Sequence, residues 1–231
     1  MKYTKSVFIT ATGTDIGKTY VSGLIVKKMR ELGLNCGYFK PVLSGLIKNA
    51  DNTLTPGDCK HVIDVSGLNI NPEKCLSYSF EEAVSPHLAA NRAGVNIDIN
   101  KIIVDYKELS KYYDYMVIEG AGGVTCPIIV NDNDYYLMSD LIKDMNQSVL
   151  IVADGGLGTI NSVLTTVEYV QNRDIEIKGI ILNNYDSESF MHRDNLLMVE
   201  KMTGLSVVSV VEKGQTNLQI VKDKLESLFS Y

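Results

Sequence analysis

The chain has 231 residues, a formal net charge of −6 and 45% hydrophobic residues, enough for one large α/β domain or two small ones with a real core. That acidic balance, with no basic stripe, argues against nucleic acid and anionic membranes as partners, and no apolar run approaches the ~20 residues of a membrane span. The cysteines Cys36, Cys59, Cys75 and Cys126 form no Cys-x-x-Cys pair; scattered thiols and a first strand that begins almost at once point to a cytoplasmic protein with no zinc or redox motif and no targeting segment.

The first predicted element is a buried strand, Val7–Thr10. It runs through Ala11 into Thr12-Gly13-Thr14-Asp15-Ile16-Gly17-Lys18-Thr19 and then an amphipathic helix, Lys18–Leu32. Strand, small-residue loop and helix in that order form a phosphate loop. Its backbone N–H groups wrap a polyphosphate at the positive end of the helix. Lys18 would reach the terminal phosphates and the Thr19 hydroxyl would hold Mg2+, so the loop points to a nucleoside triphosphate. The strict pattern places its first glycine at position 12; here that residue is Thr12, and Gly13 follows it.

A second strand, Cys36–Lys40, ends in Lys40-Pro41, and the proline is expected to turn the chain outward. Lys40 at a strand end could neutralise charge on a transferring phosphoryl group, although a lysine there is commonly a surface residue. Ser44 could donate to a substrate oxygen or serve only the loop. Ser44–Pro56 is polar and reads as a loop. Asp58 opens a helix, Asp58–Val65, either as its N-cap or as a carboxylate facing Mg2+. Ser85-Pro86-His87 starts a helix, Ser85–Arg92, with Pro86 at the first position; another helix follows at Ile99–Lys111.

Strand Tyr115–Glu119 carries the next strong signal. An acid closes a buried strand and Gly120-Ala121-Gly122-Gly123 follows. Glu119 stands where a phosphate-loop protein keeps its metal-facing carboxylate, and the small residues admit close ligand approach. After helix Ser139–Met145 and strand Val149–Ala153 comes Asp154-Gly155-Gly156-Leu157-Gly158-Thr159-Ile160-Asn161, whose free N–H groups could meet a second anion or simply form a flexible loop. Helix Thr159–Asn172, strand Gly179–Asn183, helix Ser187–Met202, strand Val207–Val210 and helix Asn217–Phe229 complete the chain. The alternation predicts an α/β fold of the P-loop NTPase kind over residues 1–231. Its mainly parallel, doubly wound sheet is flanked by helices, and the polar segments gather at the strands' carboxyl ends. No nucleophile–histidine–acid triad is visible.

Taken together, Thr12–Thr19, Gly37–Gly45, Asp58, Ser85-Pro86-His87, Glu119–Gly123 and Asn183-Asn184 resemble the dethiobiotin synthetase family, over most of the chain from Val7 to about Asn184. The resemblance implies a cytoplasmic, single-domain homodimer with the active site at or near the subunit interface. It would convert diaminopelargonic acid, CO2 (or bicarbonate) and ATP to dethiobiotin, ADP and phosphate. It makes Lys40 and Lys18 catalytic. It assigns Asp15, Ile16, Gly17, Lys18, Thr19, Tyr20, Asp58, Glu119, Gly120, Ala121, Gly122, Asn183 and Asn184 to the nucleotide. Thr14, Ser44, Gly156 and Asn161 would serve the substrate, and Thr19, Asp58 and Glu119 would surround Mg2+. Two features depart from the family pattern. Ala11 stands where glycine is frequent, and Ser209-Val210-Val211-Glu212-Lys213-Gly214 lacks the proline-containing turn often placed against the nucleotide base. The alternative is a phosphate-loop switch ATPase of the partitioning or metal-cluster assembly type. Those proteins carry a signature lysine early in the loop, where this chain has Gly13.

Overall fold

The structure is a computed structural model that describes residues 4–132 and 134–231. In chain order its elements are β1 (Lys5–Ala11), α1 (Lys18–Glu31), β2 (Cys36–Ser44), the short strands β3 (Ile47–Lys48) and β4 (Leu54–Thr55), α2 (Gly57–Ser66), a 3-10 turn (Pro72–Cys75), β5 (Leu76–Phe80), α3 (Pro86–Arg92), α4 (Ile99–Ser110) and β6 (Tyr115–Glu119). Then follow β7 (Pro127–Asn131), β8 (Asp134–Leu137), α5 (Met138–Asp144), β9 (Val149–Asp154), α6 (Thr159–Gln171), β10 (Ile177–Tyr185), α7 (Phe190–Thr203), β11 (Val207–Glu212) and α8 (Lys222–Ser227).

Seven strands form one sheet in the order β11-β10-β9-β1-β6-β2-β5, and every pairing in it is parallel. Such a sheet must be covered on both faces, and successive residues of β1 show that it is. Phe8 faces a core built with α3 to α7, whereas Val7 and Ile9 face a second core built with α1, α2 and α8. The near-continuous apolar runs of β1, β6 and β9 follow from this double burial. The α/β, doubly wound architecture expected from the alternation is therefore present.

Several elements differ from expectation. β2 does not end at Lys40. It pairs with β6 over Cys36–Phe39 and with β5 over Lys40–Ser44, and the strand continues through Pro41. A missing N–H is tolerated where a strand changes partner. β5 was not expected, although Leu76, Tyr78 and Phe80 alternate with serines in the period-two pattern of an edge strand. The antiparallel pairs β3–β4 and β7–β8 were likewise unforeseen. The last helix is shortened to Lys222–Ser227 because the preceding segment is tied down locally: Ser209 Oγ donates to Gln219 O (3.1 Å) and Gln215 Oε1 accepts from Glu212 N (3.0 Å). Asp58 is not an N-cap. Pro56 holds that place and Asp58 lies inside the first turn of α2, which frees its carboxylate.

Candidate active site

The loop after β1 is built from unusual backbone. Asp15 (φ 58°) and Gly17 (φ 99°) both take the left-handed conformation. Glycine is needed at 17 for a second reason. A Cβ there would lie 2.1 Å from Asn183 Nδ2, and that amide donates to Ile16 O at 2.8 Å. β10 thus supports the loop from beneath. Lys18 is buried and its ammonium folds back to donate to Gly13 O at 3.2 Å. Burial holds its pKa below the ordinary lysine range; nearby Lys40 adds to that, and Glu119 pulls the other way. The arriving charge of a phosphate would relieve this tension.

Opposite the loop, α1 and β2 both supply donors to Glu119 at the end of β6. This carboxylate is fully buried. Its Oε1 accepts from Thr19 Oγ1 on α1 and from Lys40 Nζ on β2, each at 2.7 Å. Its Oε2 accepts from Tyr38 OH at 2.8 Å. Lys40 also pairs with Asp58 of α2 and so bridges the two acids. Burial alone would lower the Lys40 pKa, but Glu119 and Asp58 outweigh it and hold the ammonium well above its usual range. Lys40 is therefore a fixed cation at neutral pH, not a base. Tyr38 is pushed up by burial and by the adjacent Glu119.

These groups open on a cavity of about 610 Å3 at the carboxyl ends of β1, β2 and β6, where open α/β sheets gather their ligands. Thr14, Asp15, Gly17, Lys18, Thr19, Tyr20, Lys40, Ser44, Asp58, Glu119, Ala121 and Gly122 line it, so most of the sequence-named residues share one surface. The charges of Lys18, Lys40, Asp58 and Glu119 cancel, and a polyphosphate would need added positive charge. The Thr19 hydroxyl and the Asp58 and Glu119 carboxylates are the hard oxygens Mg2+ prefers. Two carboxylates suit an ion that completes its shell with phosphates and water. Among the described residues no group of three or more His, Cys, Asp or Glu forms a metal cage by itself.

The remaining sequence-named residues sit off this surface. Asn183 braces the loop as described. Gly120 donates its N–H to Ile9 O at 3.0 Å, which fixes β6 to β1. Asn184 (φ 52°) donates to Asp154 Oδ2 at 2.8 Å. Gly156 N donates to Asp154 Oδ1 at 2.8 Å, and Asn161 lies in the first turn of α6. Ile16 packs beside the α1 core. Conversely, sequence reasoning passed over Tyr38, Ile47, Gly57 and His61. His61 lines the cavity one helical turn from Asp58, and Tyr38 precedes Lys40 by one strand repeat. Each spacing puts the residue on the same face as a sequence-named one, without saying which way that face turns.

A parallel sheet whose first strand feeds a glycine-lysine-threonine loop, facing an acid at the end of a neighbouring strand, defines a P-loop nucleotide-binding protein. Solved structures agree at the level of fold. A ParA family ATPase from Chlorobium tepidum TLS is 15% identical with TM-score 0.52, covering 98% of this chain and 89% of its own. The signal recognition particle receptor FtsY from Elizabethkingia anophelis is 13% identical with TM-score 0.57, covering 100% and 65%. The family description "AAA domain" matches residues 5–216. The ATP-dependent dethiobiotin synthetase BioD of Clostridium botulinum (strain Alaska E43 / Type E3) is 43% identical over 98% of this chain and 99% of its own. That of Brachyspira hyodysenteriae is 43% identical over 97% and 99%. The chain belongs to the dethiobiotin synthetase family.

Proposed function

We propose that this chain is an ATP-dependent cyclo-ligase that converts diaminopelargonic acid, CO2 and ATP to dethiobiotin, ADP and phosphate. The observation that carries the reading is Lys40. A buried cation from β2, held between Asp58 and Glu119, faces the phosphate loop across one cavity. A switch ATPase draws its second cation from the loop itself, and position 13 is glycine here.

The chemistry divides into three bond changes. One substrate amine adds to CO2 and loses a proton to give a carbamate. A carbamate oxygen attacks the γ-phosphorus, ADP leaves, and a carbamic–phosphoric mixed anhydride forms. The second amine attacks the carbonyl carbon, expels phosphate and closes the urea ring. No covalent enzyme intermediate is required, so the protein's contribution is positioning and charge stabilisation. Lys18 and the loop N–H groups hold the β- and γ-phosphates. Lys40, protonated throughout, faces the carbamate and the transferring phosphoryl group. Thr14 and Ser44 line the same cavity and would orient the substrate. Thr19, Asp58 and Glu119 would hold Mg2+, whose chemistry there would be to neutralise charge on the triphosphate.

The reading extends to a homodimer in the cytoplasm, with residues 1–231 acting as one domain. Gly156 and Asn161 would meet substrate held in the partner copy, and Asn183 and Asn184 would border the base. Leu157 is 93% exposed and Phe190 82% exposed, apolar surface of the kind a partner covers. All four cysteines are free thiols, and no described helix is long and apolar enough to cross a membrane. The test is incubation with diaminopelargonic acid, bicarbonate, Mg2+ and each common nucleoside triphosphate, with products weighed by mass spectrometry. Dethiobiotin matched by phosphate is the expected result. Triphosphate hydrolysis without that product would overturn the reading.

A further inference from the structure

Tyr38 has no task in the three bond changes, yet its position is closely specified. It lies on β2 two residues before Lys40, on the same strand face, opposite Val117 in the β2–β6 register. Its ring is 1% exposed and packs in the core with Cys59 and Val62. Only its hydroxyl meets the site, donating to Glu119 Oε2 at 2.8 Å.

The other carboxylate oxygen, Oε1, takes its two hydrogen bonds from Thr19 and Lys40. Both donors have work elsewhere during turnover. The Thr19 hydroxyl is needed at the cation and the Lys40 ammonium at the reacting groups. Were they to turn away, the fully buried carboxylate would keep, among the described residues, one side-chain donor, the Tyr38 hydroxyl. A buried charge short of donors is costly and its side chain is free to swing. A phenol on a ring locked in the core prevents both.

We infer that Tyr38 is a positioning residue: its hydroxyl anchors Glu119 Oε2 so that Oε1 stays aimed at the cation while Thr19 and Lys40 engage nucleotide and substrate. This rests on the reading of Thr19, Asp58 and Glu119 as a Mg2+–nucleotide site. Partners that orient a metal-facing carboxylate typically change metal affinity by about 10–100-fold when removed.

The experiment is calorimetric titration of Mg2+ with a non-hydrolysable ATP analogue on the full chain, for wild type, Tyr38→Phe, Glu119→Gln and the double variant. Tyr38→Phe is expected to need about 10-fold more Mg2+ for half-maximal nucleotide binding, with nucleotide affinity in the absence of Mg2+ unchanged. Glu119→Gln is expected to lose more. The double variant should match Glu119→Gln alone, because Tyr38 acts through that carboxylate. It also removes the under-paired buried charge, so it carries the test even if Tyr38→Phe unfolds. A wild-type response in Tyr38→Phe beside a weakened Glu119→Gln overturns the role of Tyr38 and leaves the site reading standing. A double variant weaker than Glu119→Gln also overturns that role. A wild-type response in both single variants removes the Mg2+ site itself.

Discussion

Lys18 and Lys40 are both buried, yet their surroundings set them in opposite directions. Burial leaves Lys18 below its ordinary pKa, while Glu119 and Asp58 hold Lys40 above it. Lys18 therefore waits for an anion and Lys40 already has two. Lys18→Gln and Lys40→Gln should each lower turnover by about 100-fold or more, the scale of losing one preorganised charge donor. Far-UV circular dichroism should remain that of the wild type. Normal turnover in both variants would contradict the site. Gly17 makes a different demand, since its φ of 99° and its contact with Asn183 leave no room for a methyl group. Gly17→Ala should destabilise the fold by about 1–3 kcal/mol; an unchanged urea midpoint would show that the loop relaxes freely. Lys18, Thr19 and Glu119 were legible because each sits in a local motif with its own chemistry. Tyr38 and His61 were not, because recognising them requires knowing which faces of β2 and α2 turn toward the loop.

At the scale of elements, the strands buried on both faces were legible from their apolar runs. Edge and accessory strands were not. β5 is the sheet's edge and its serines dilute the signal, and β7 and β8 pair only with each other outside the main sheet. Pro41 misled in an instructive way. It was expected to turn the chain outward after Lys40, but β2 changes partner there and runs on to Ser44, which keeps Lys40 and Ser44 on one continuous support. The aim of Lys40 is thus set by sheet pairing, not by proline. Pro41→Ala should cost only about 0.4–1 kcal/mol, through the freer unfolded chain, and should leave turnover within about two-fold. A collapse of turnover on the scale of Lys40→Gln would show that the proline itself aims the lysine.

For the whole molecule, proton binding favours the folded state at high pH less and less. Burial raises the thiols of Cys36 and Cys59 from the ordinary 9.0 and pushes Cys75 up to about 12; burial and then Glu119 raise Tyr38. Groups raised on folding contribute stability that is complete below their unfolded pKa and lost as pH climbs toward the folded one. Lys18, lowered by burial, opposes this as a single group. The denaturant midpoint should therefore be level near neutrality and fall steadily above pH 9, the ordinary thiol value. A midpoint that held or rose toward pH 10.5, the ordinary lysine value, would contradict the assignment. At the same scale, the fold is shared with a ParA family ATPase and an FtsY receptor at 15% and 13% identity, so the fold alone does not name what accepts the transferred phosphoryl group in the proposed reaction. In the proposed reaction that acceptor is a carbamate oxygen. One turnover with fully oxygen-18-labelled CO2, under conditions faster than exchange with water, tests it directly. The mechanism predicts that the released phosphate carries one labelled oxygen and dethiobiotin the other. Unlabelled phosphate beside labelled dethiobiotin would contradict it.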